Sequence, residues 1–119
     1  MSYVDGFVLI VPKKKVGAYK KLATKAGKIW REHGALGYYE CLGDDLKTKF
    51  GVPFTRMAKA KRNDTVFFSF IIYKDKAHRN RVNAKVMKDK RLNGACDEKN
   101  MPFDIKRMAY GGFKAVVKF

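Results

Sequence analysis

Hydrophobic and polar positions along the 119-residue chain repeat one pattern twice: an apolar run, a lysine-rich joint, then a basic helix. The strongest run is Val66 to Tyr73. Val66, Phe68, Phe70 and Ile72 share one parity and Phe67, Ile71 and Tyr73 the other, with only Ser69 polar. That spacing predicts a strand covered on both faces. Tyr3 to Val11 has the same character, and Pro12 ends it. A helix is predicted over roughly Lys14 to His33, because Val16, Tyr19, Leu22, Ala23, Ala26, Trp30 and His33 recur at spacings of three and four before Gly34. A second helix, about Lys76 to Lys88, starts at the N-cap Asp75 and turns Val82 and Val86 inward, with His78 one turn earlier.

Leu36 to Leu42 predicts another strand. Leu46 to Arg62, with Gly51 and Pro53, predicts a long excursion containing a short strand near Arg56 to Ala60. Lys90 to Pro102 reads as a loop or short helical turn carrying Gly94 and Cys96. Asp104 to Phe119 reads as a final strand broken or bulged at Gly111-Gly112.

Strand–helix–strand, repeated, predicts an α+β ferredoxin-like sandwich: two helices on a four-stranded antiparallel sheet, one domain over residues 1–119. Two helices cover only one sheet face, yet the strands are apolar on both. An open second face would exceed the roughly few hundred Å² of contiguous apolar surface that a monomer tolerates. The expected solution is a two-fold homodimer, sheet against sheet, forming a dimeric α/β-barrel.

A hydrophobic share of 46% argues against disorder, and no apolar run is long enough to enter a bilayer as a spanning helix. The first fifteen residues lack the basic region and cleavage site of an export signal, so a cytoplasmic protein is expected, with Cys41 and Cys96 reduced. The net charge of +16 changes the picture most. It favours polyanions as partners: nucleic acid, an acidic membrane surface or an anionic small molecule.

Several segments resemble the YbaA-like family of small bacterial proteins of unknown function. They are Tyr3-Val4-Asp5-Gly6-Phe7, Trp30-Arg31-Glu32-His33-Gly34-Ala35-Leu36 and Glu40-Cys41-Leu42-Gly43-Asp44-Asp45, then the stretches from His78 to Met87 and from Met101 to Phe113. The resemblance spans nearly the whole chain. It implies a dimeric α/β-barrel and no established activity.

Three sets of residues are candidates for function. Trp30, Tyr38, Tyr39, Phe103 and Tyr110 are placed to line a pocket between helices and sheet, with Glu40, Asp104 and Arg107 as orienting polar groups. The plainer alternative makes the aromatics core and Asp104–Arg107 a structural ion pair. His33 and His78, the only histidines, are the catalytic candidates, against local packing at helix edges. Two histidines without clustered Asp, Glu or Cys predict no metal site, and no cofactor is expected. Lys13, Lys14 and Lys15 at one helix entrance and Lys74 and Lys76 at the other are anion candidates, against a solvated basic surface. With Arg79, Arg81 and Lys85 they supply a candidate nucleic-acid face.

The expected function is a homodimeric small-molecule binding module taking an anionic or aromatic ligand. The alternatives are a cofactor-free enzyme of monooxygenase-like or isomerase type, by fold analogy, and RNA or DNA binding through the basic helix faces.

Overall fold

The computed structural model describes residues 2–92 and 101–119. Strand β1 (Tyr3–Pro12) leads through a 3-10 turn (Lys13–Lys15) into helix α1 (Val16–Glu32) and strand β2 (Gly37–Leu42). A one-turn helix α2 (Phe54–Met57) precedes strand β3 (Asp64–Tyr73), helix α3 (Lys76–Met87), 3-10 turns at Lys90–Leu92 and Ile105–Arg107, and strand β4 (Ala109–Lys114). The strands form one antiparallel sheet in the order β2-β3-β1-β4. With α1 and α3 on one face, this is the ferredoxin-like fold that the element order predicts.

Local chemistry sets the helix limits. Gly34, with φ of +114°, follows the last turn of α1. The Gly34 N–H donates to the Arg31 carbonyl and the Ala35 N–H to the Trp30 carbonyl, the pair of bonds that a glycine in the left-handed region makes available. At the start of α3, the Asp75 carboxylate accepts from the His78 N–H.

The helix-covered face carries Tyr3, Asp5, Phe7, Leu9 and Val11 of β1, with Phe67, Ser69, Ile71 and Tyr73 of β3. Ile29, Val82 and Val86 pack onto Tyr3, Ile71 and Tyr73, while Tyr19 and Ala23 pack onto Leu9, Val11 and Phe67. Each such aliphatic side chain contributes about 1.5–3 kcal/mol by leaving water. Ile29, 1% exposed, belongs to the inward stripe of α1 although the predicted stripe passed over it. It lies three residues after Ala26 and four before His33, so the buried face is wider than read.

Three expectations change. The region of Arg56 to Ala60 begins in the helical turn α2 and pairs with no strand among the described residues; Pro53 starts that turn, and Lys59 adopts a positive φ of 57° just after it. β4 runs unbroken through Gly111-Gly112 and ends at Lys114. Gly112 stands opposite Asp5, where a Cβ would overlap the Tyr3 hydroxyl and lie 2.8 Å from Arg79 Nη2. The glycine therefore makes room for a side-chain cluster without bending the strand. The excursion over 46–60 also covers one end of the second sheet face, where Leu46, Ala58 and Ala60 pack on Val8, Ile10 and Val66. The predicted turn at Gly94 and Cys96 lies outside the described residues.

Candidate functional site

Ser69, the one polar interruption of β3, stands opposite Glu40 of β2 on the helix-covered face. Ser69 Oγ donates a short hydrogen bond to Glu40 Oε1. Tyr19 Oη, from α1, donates to the same oxygen at 2.7 Å, and Tyr38 Oη donates to Glu40 Oε2 at 2.9 Å. One carboxylate thus gathers three hydroxyls from two strands and a helix. Burial, and then the Glu40 charge, push the Tyr19 and Tyr38 hydroxyls far above the ordinary tyrosine range. Both stay neutral donors at any physiological pH.

This cluster separates two hollows. Inside, between helices and sheet, a cavity of about 350 Å³ is walled by Phe7, Leu9, Trp30, Ile71, Phe103 and Met108, with Tyr19, Tyr38, Glu40 and Ser69 as its polar edge. Outside, a groove of about 700 Å³ runs between α1 and β2, lined by Lys20, Gly27, Lys28 and Arg31 and sharing Tyr19, Tyr38 and Glu40. The cavity is of a size and polarity suited to a small, mostly apolar molecule.

A second polar network lies deeper. Trp30 Nε1 donates to Tyr73 Oη (3.1 Å) and Asn83 Oδ1 (3.0 Å), and Tyr73 Oη donates to Asn83 Oδ1 (3.1 Å). Asn83 Nδ2 lies 3.4 Å from Asp5 Oδ2. Asp5, 1% exposed, faces Arg79 Nε at 3.5 Å through Oδ1, and neither atom has a hydrogen-bond partner among the described residues. Arg79 Nη2 donates instead to Tyr3 Oη at 2.9 Å. Burial raises the Asp5 carboxyl above its ordinary value, with Arg79 and Asn83 opposing the rise.

Of the residues predicted for the pocket, Trp30, Tyr38, Glu40 and Phe103 meet at the cavity, and Tyr39 borders it. The Tyr39 ring is on the opposite sheet face, stacked on Phe70 at 4.8 Å. Tyr110 stacks on Phe7 at 4.8 Å without lining the cavity. Asp104 and Arg107 are also elsewhere: Arg107 Nε donates to Asp104 Oδ2 (2.8 Å), and Nη1 donates to the Lys59 carbonyl (2.8 Å) and to Asp64 Oδ2 (3.0 Å). They tie two turns together.

Neither histidine lines the cavity. His33 Nε2 is 2.8 Å from Asp89 Oδ2, joining the end of α1 to the turn after α3, and His78 Nδ1 accepts from the Lys74 N–H at 2.9 Å. The two lysine-rich joints sit at opposite ends of the sheet, because Pro12 pairs with Asp64 while Tyr3 pairs with Tyr73. Ten-residue strands put Lys13, Lys14 and Lys15 roughly 30 Å from Lys74 and Lys76. Arg79 turns inward, whereas Arg81 and Lys85 are exposed.

Sequence reasoning passed over Tyr19, Ser69, Asp5, Tyr73 and Asn83. The signal for Ser69 and Asp5 was present, each being a polar residue inside an apolar run. Among the described residues no group of three or more His, Cys, Asp or Glu converges to hold a metal, and no helix is long and apolar enough to cross a membrane.

The fold and cavity define an α+β protein of ferredoxin-like architecture with a helix–sheet hollow. The chain belongs to the family described as "Protein of unknown function (DUF1428)", which matches residues 2–105. It is 42% identical over 117 residues, 98% of each chain, to "Uncharacterized protein YbaA" of Escherichia coli (strain K12), and equally to that of Shigella flexneri. Among solved structures, it resembles a dimeric ferredoxin-like protein from an uncultured marine organism (TM-score 0.65, 10% identity, all of both chains covered). It also resembles an uncharacterized NIPSNAP domain protein from Burkholderia xenovorans (TM-score 0.54, 14% identity, 96% of this chain and 94% of that one). At these identities the likeness is one of fold.

Proposed function

We propose that this protein is a homodimeric small-molecule binding module whose ligand lies between helices and sheet beside Glu40. The observation that carries the reading is the Glu40 cluster at the edge of the cavity. Collecting a half-buried carboxylate and three hydroxyls at the edge of the core costs desolvation, and well-packed apolar side chains of equal volume would be at least as stable. An open hollow of about 350 Å³ beside the cluster likewise forgoes packing that stability alone would favour. Both features make sense if a ligand completes the site.

The homodimer rests on the second sheet face. On this face Tyr39, Phe68 and Phe113 are 52%, 46% and 62% exposed, and Phe68 and Phe113 border a shallow apolar hollow over Val4, Gly6 and Phe70. Such a patch calls for a partner, and a second copy of the same face is self-complementary about a two-fold axis. The name of the structurally similar marine protein, a dimeric ferredoxin-like protein, supports the same assembly. The exposed thiol of Cys41 suits a reducing compartment, and we place the dimer in the cytoplasm.

The test is a fragment screen followed through the fluorescence of Trp30, the sole tryptophan and a wall of the cavity. Small aromatic fragments should shift the emission of the wild type. Ala26→Leu, which fills the cavity from α1, should abolish the response and leave the oligomeric state unchanged. A response that survives Ala26→Leu would move the site elsewhere.

A further inference from the structure

The hydrogen-bond polarity of the cavity identifies its ligand more closely, on the reading that the ligand sits beside Glu40. Every hydroxyl proton at the polar edge is committed to that carboxylate: Tyr19 and Ser69 donate to Oε1 and Tyr38 to Oε2. The remaining nearby donor, Trp30 Nε1, is spent on Tyr73 and Asn83. What remains for a ligand is acceptor capacity: the second lone pair of Glu40 Oε2 and the hydroxyl oxygens themselves. The polar head of the ligand must donate.

Charge points the same way. Glu40 is the only charged side chain among the described residues lining the cavity; no Lys, Arg or His reaches it. Its three hydroxyl partners replace water but carry no positive charge. The walls add the rings of Trp30, Tyr19, Tyr38 and Phe103, and an aromatic face attracts a cation placed over it. An anion would meet a carboxylate with no counter-charge. A protein with a net charge of +16 thus contains an inner cavity built for the opposite kind of ligand from the one its surface attracts.

We propose that the cavity takes a small amine on an apolar, preferably aromatic, body, bound as its cation with an N–H donated to Glu40. The chain's overall field repels such a ligand at long range, and salt screens that repulsion more than it screens the close pairing with the half-buried Glu40. Affinity should therefore hold or rise as salt is added.

Three probes of one shape separate the possibilities: phenethylamine, 2-phenylethanol and phenylacetate, titrated into the full-length protein with Trp30 fluorescence as readout. The expected order is amine, then alcohol, then acid, with the amine about tenfold tighter than the alcohol because its hydrogen bond is charge-assisted. Glu40→Gln should bring the amine down to the alcohol and leave the alcohol where it was. Tyr38→Phe keeps the charge, so it should keep the preference, which guards against a Glu40 variant that folds poorly. Phenylacetate binding best, or an amine no tighter than the alcohol, overturns the proposal while leaving the cavity a binding site. If none of the three perturbs Trp30 at millimolar concentration, the cavity reading fails and the proposal with it.

Discussion

The ring of Tyr38 fills the space that a side chain at Gly27 would occupy: a Cβ there would come within 2.7 Å of Cδ1 and 2.8 Å of Cε1. A glycine inside a helix costs roughly 0.5–1 kcal/mol relative to alanine. Here it lets β2 bring Tyr38, and with it the Glu40 cluster, against α1. Gly27→Ala should forfeit that fit. The gain in helix propensity is outweighed by displacement of a ring held on a strand, for a net loss of about 1–3 kcal/mol in urea unfolding. The same variant should weaken fragment binding at the cavity, and a stabilised Gly27→Ala would show the contact to be soft.

Asp5 is buried and the Arg79 side chain beside it is 20% exposed, so removing the arginine should cost far more than breaking an exposed ion pair does. Arg79→Met is expected to lower stability at neutral pH by about 3–5 kcal/mol, since Asp5 is left charged in the core. The sign of its pH dependence follows from the raised Asp5 carboxyl. The folded state keeps its proton at pH values where the unfolded chain has lost it. Stability is therefore recovered as pH falls through the folded value and levels off below the unfolded one. Urea titrations of Arg79→Met from pH 7 to pH 4 should show that recovery, and a flat profile would mean that the carboxyl is not what destabilises the variant.

Phe113, 62% exposed with its ring over Gly6 and Gly111, is the most exposed large side chain on the open sheet face. Phe113→Asp should convert the proposed dimer to a monomer in light scattering at high salt. Its thermal unfolding should become independent of protein concentration, whereas that of the wild type rises with concentration. A wild type already monomeric at micromolar concentration would remove the barrel assembly.

The Asp89 carboxylate accepts from Arg91 and lies against His33, and these contacts hold it well below the ordinary carboxylate range. With a folded value below the unfolded one, its contribution is present above the ordinary Asp range and is lost on acidification. Asp89→Asn should lower the Tm modestly at pH 7 and flatten the fall in Tm below about pH 4, where free carboxyls titrate. The response of Trp30 to fragments should be unchanged, since neither His33 nor Asp89 lines the cavity.

Periodicity made the architecture legible because it is a local property. Alternation in Tyr3–Pro12 and Asp64–Tyr73 and the three-four spacing in Val16–Glu32 follow from the geometry of each element alone. The candidate site was half legible. Residue type and rough position point to Trp30, Tyr38, Glu40 and Phe103, and the fold brings them to one cavity. The same grounds point to Asp104, Arg107 and Tyr110, and the fold sends them elsewhere.

The sequence by itself determined the order of elements, the parity of each strand and the excess of apolar surface over what two helices can cover. Only the tertiary structure decided which polar residues meet. Glu40 and Ser69 are 29 positions apart and become neighbours through the β2–β3 register; Asp5 and Arg79 are neighbours only because α3 packs over β1. Register depends on the sum of many cross-strand contacts, and shifting it by one residue would turn every side chain to the other face. No local pattern carries that information, so the cavity's chemistry appears only once the strands are paired.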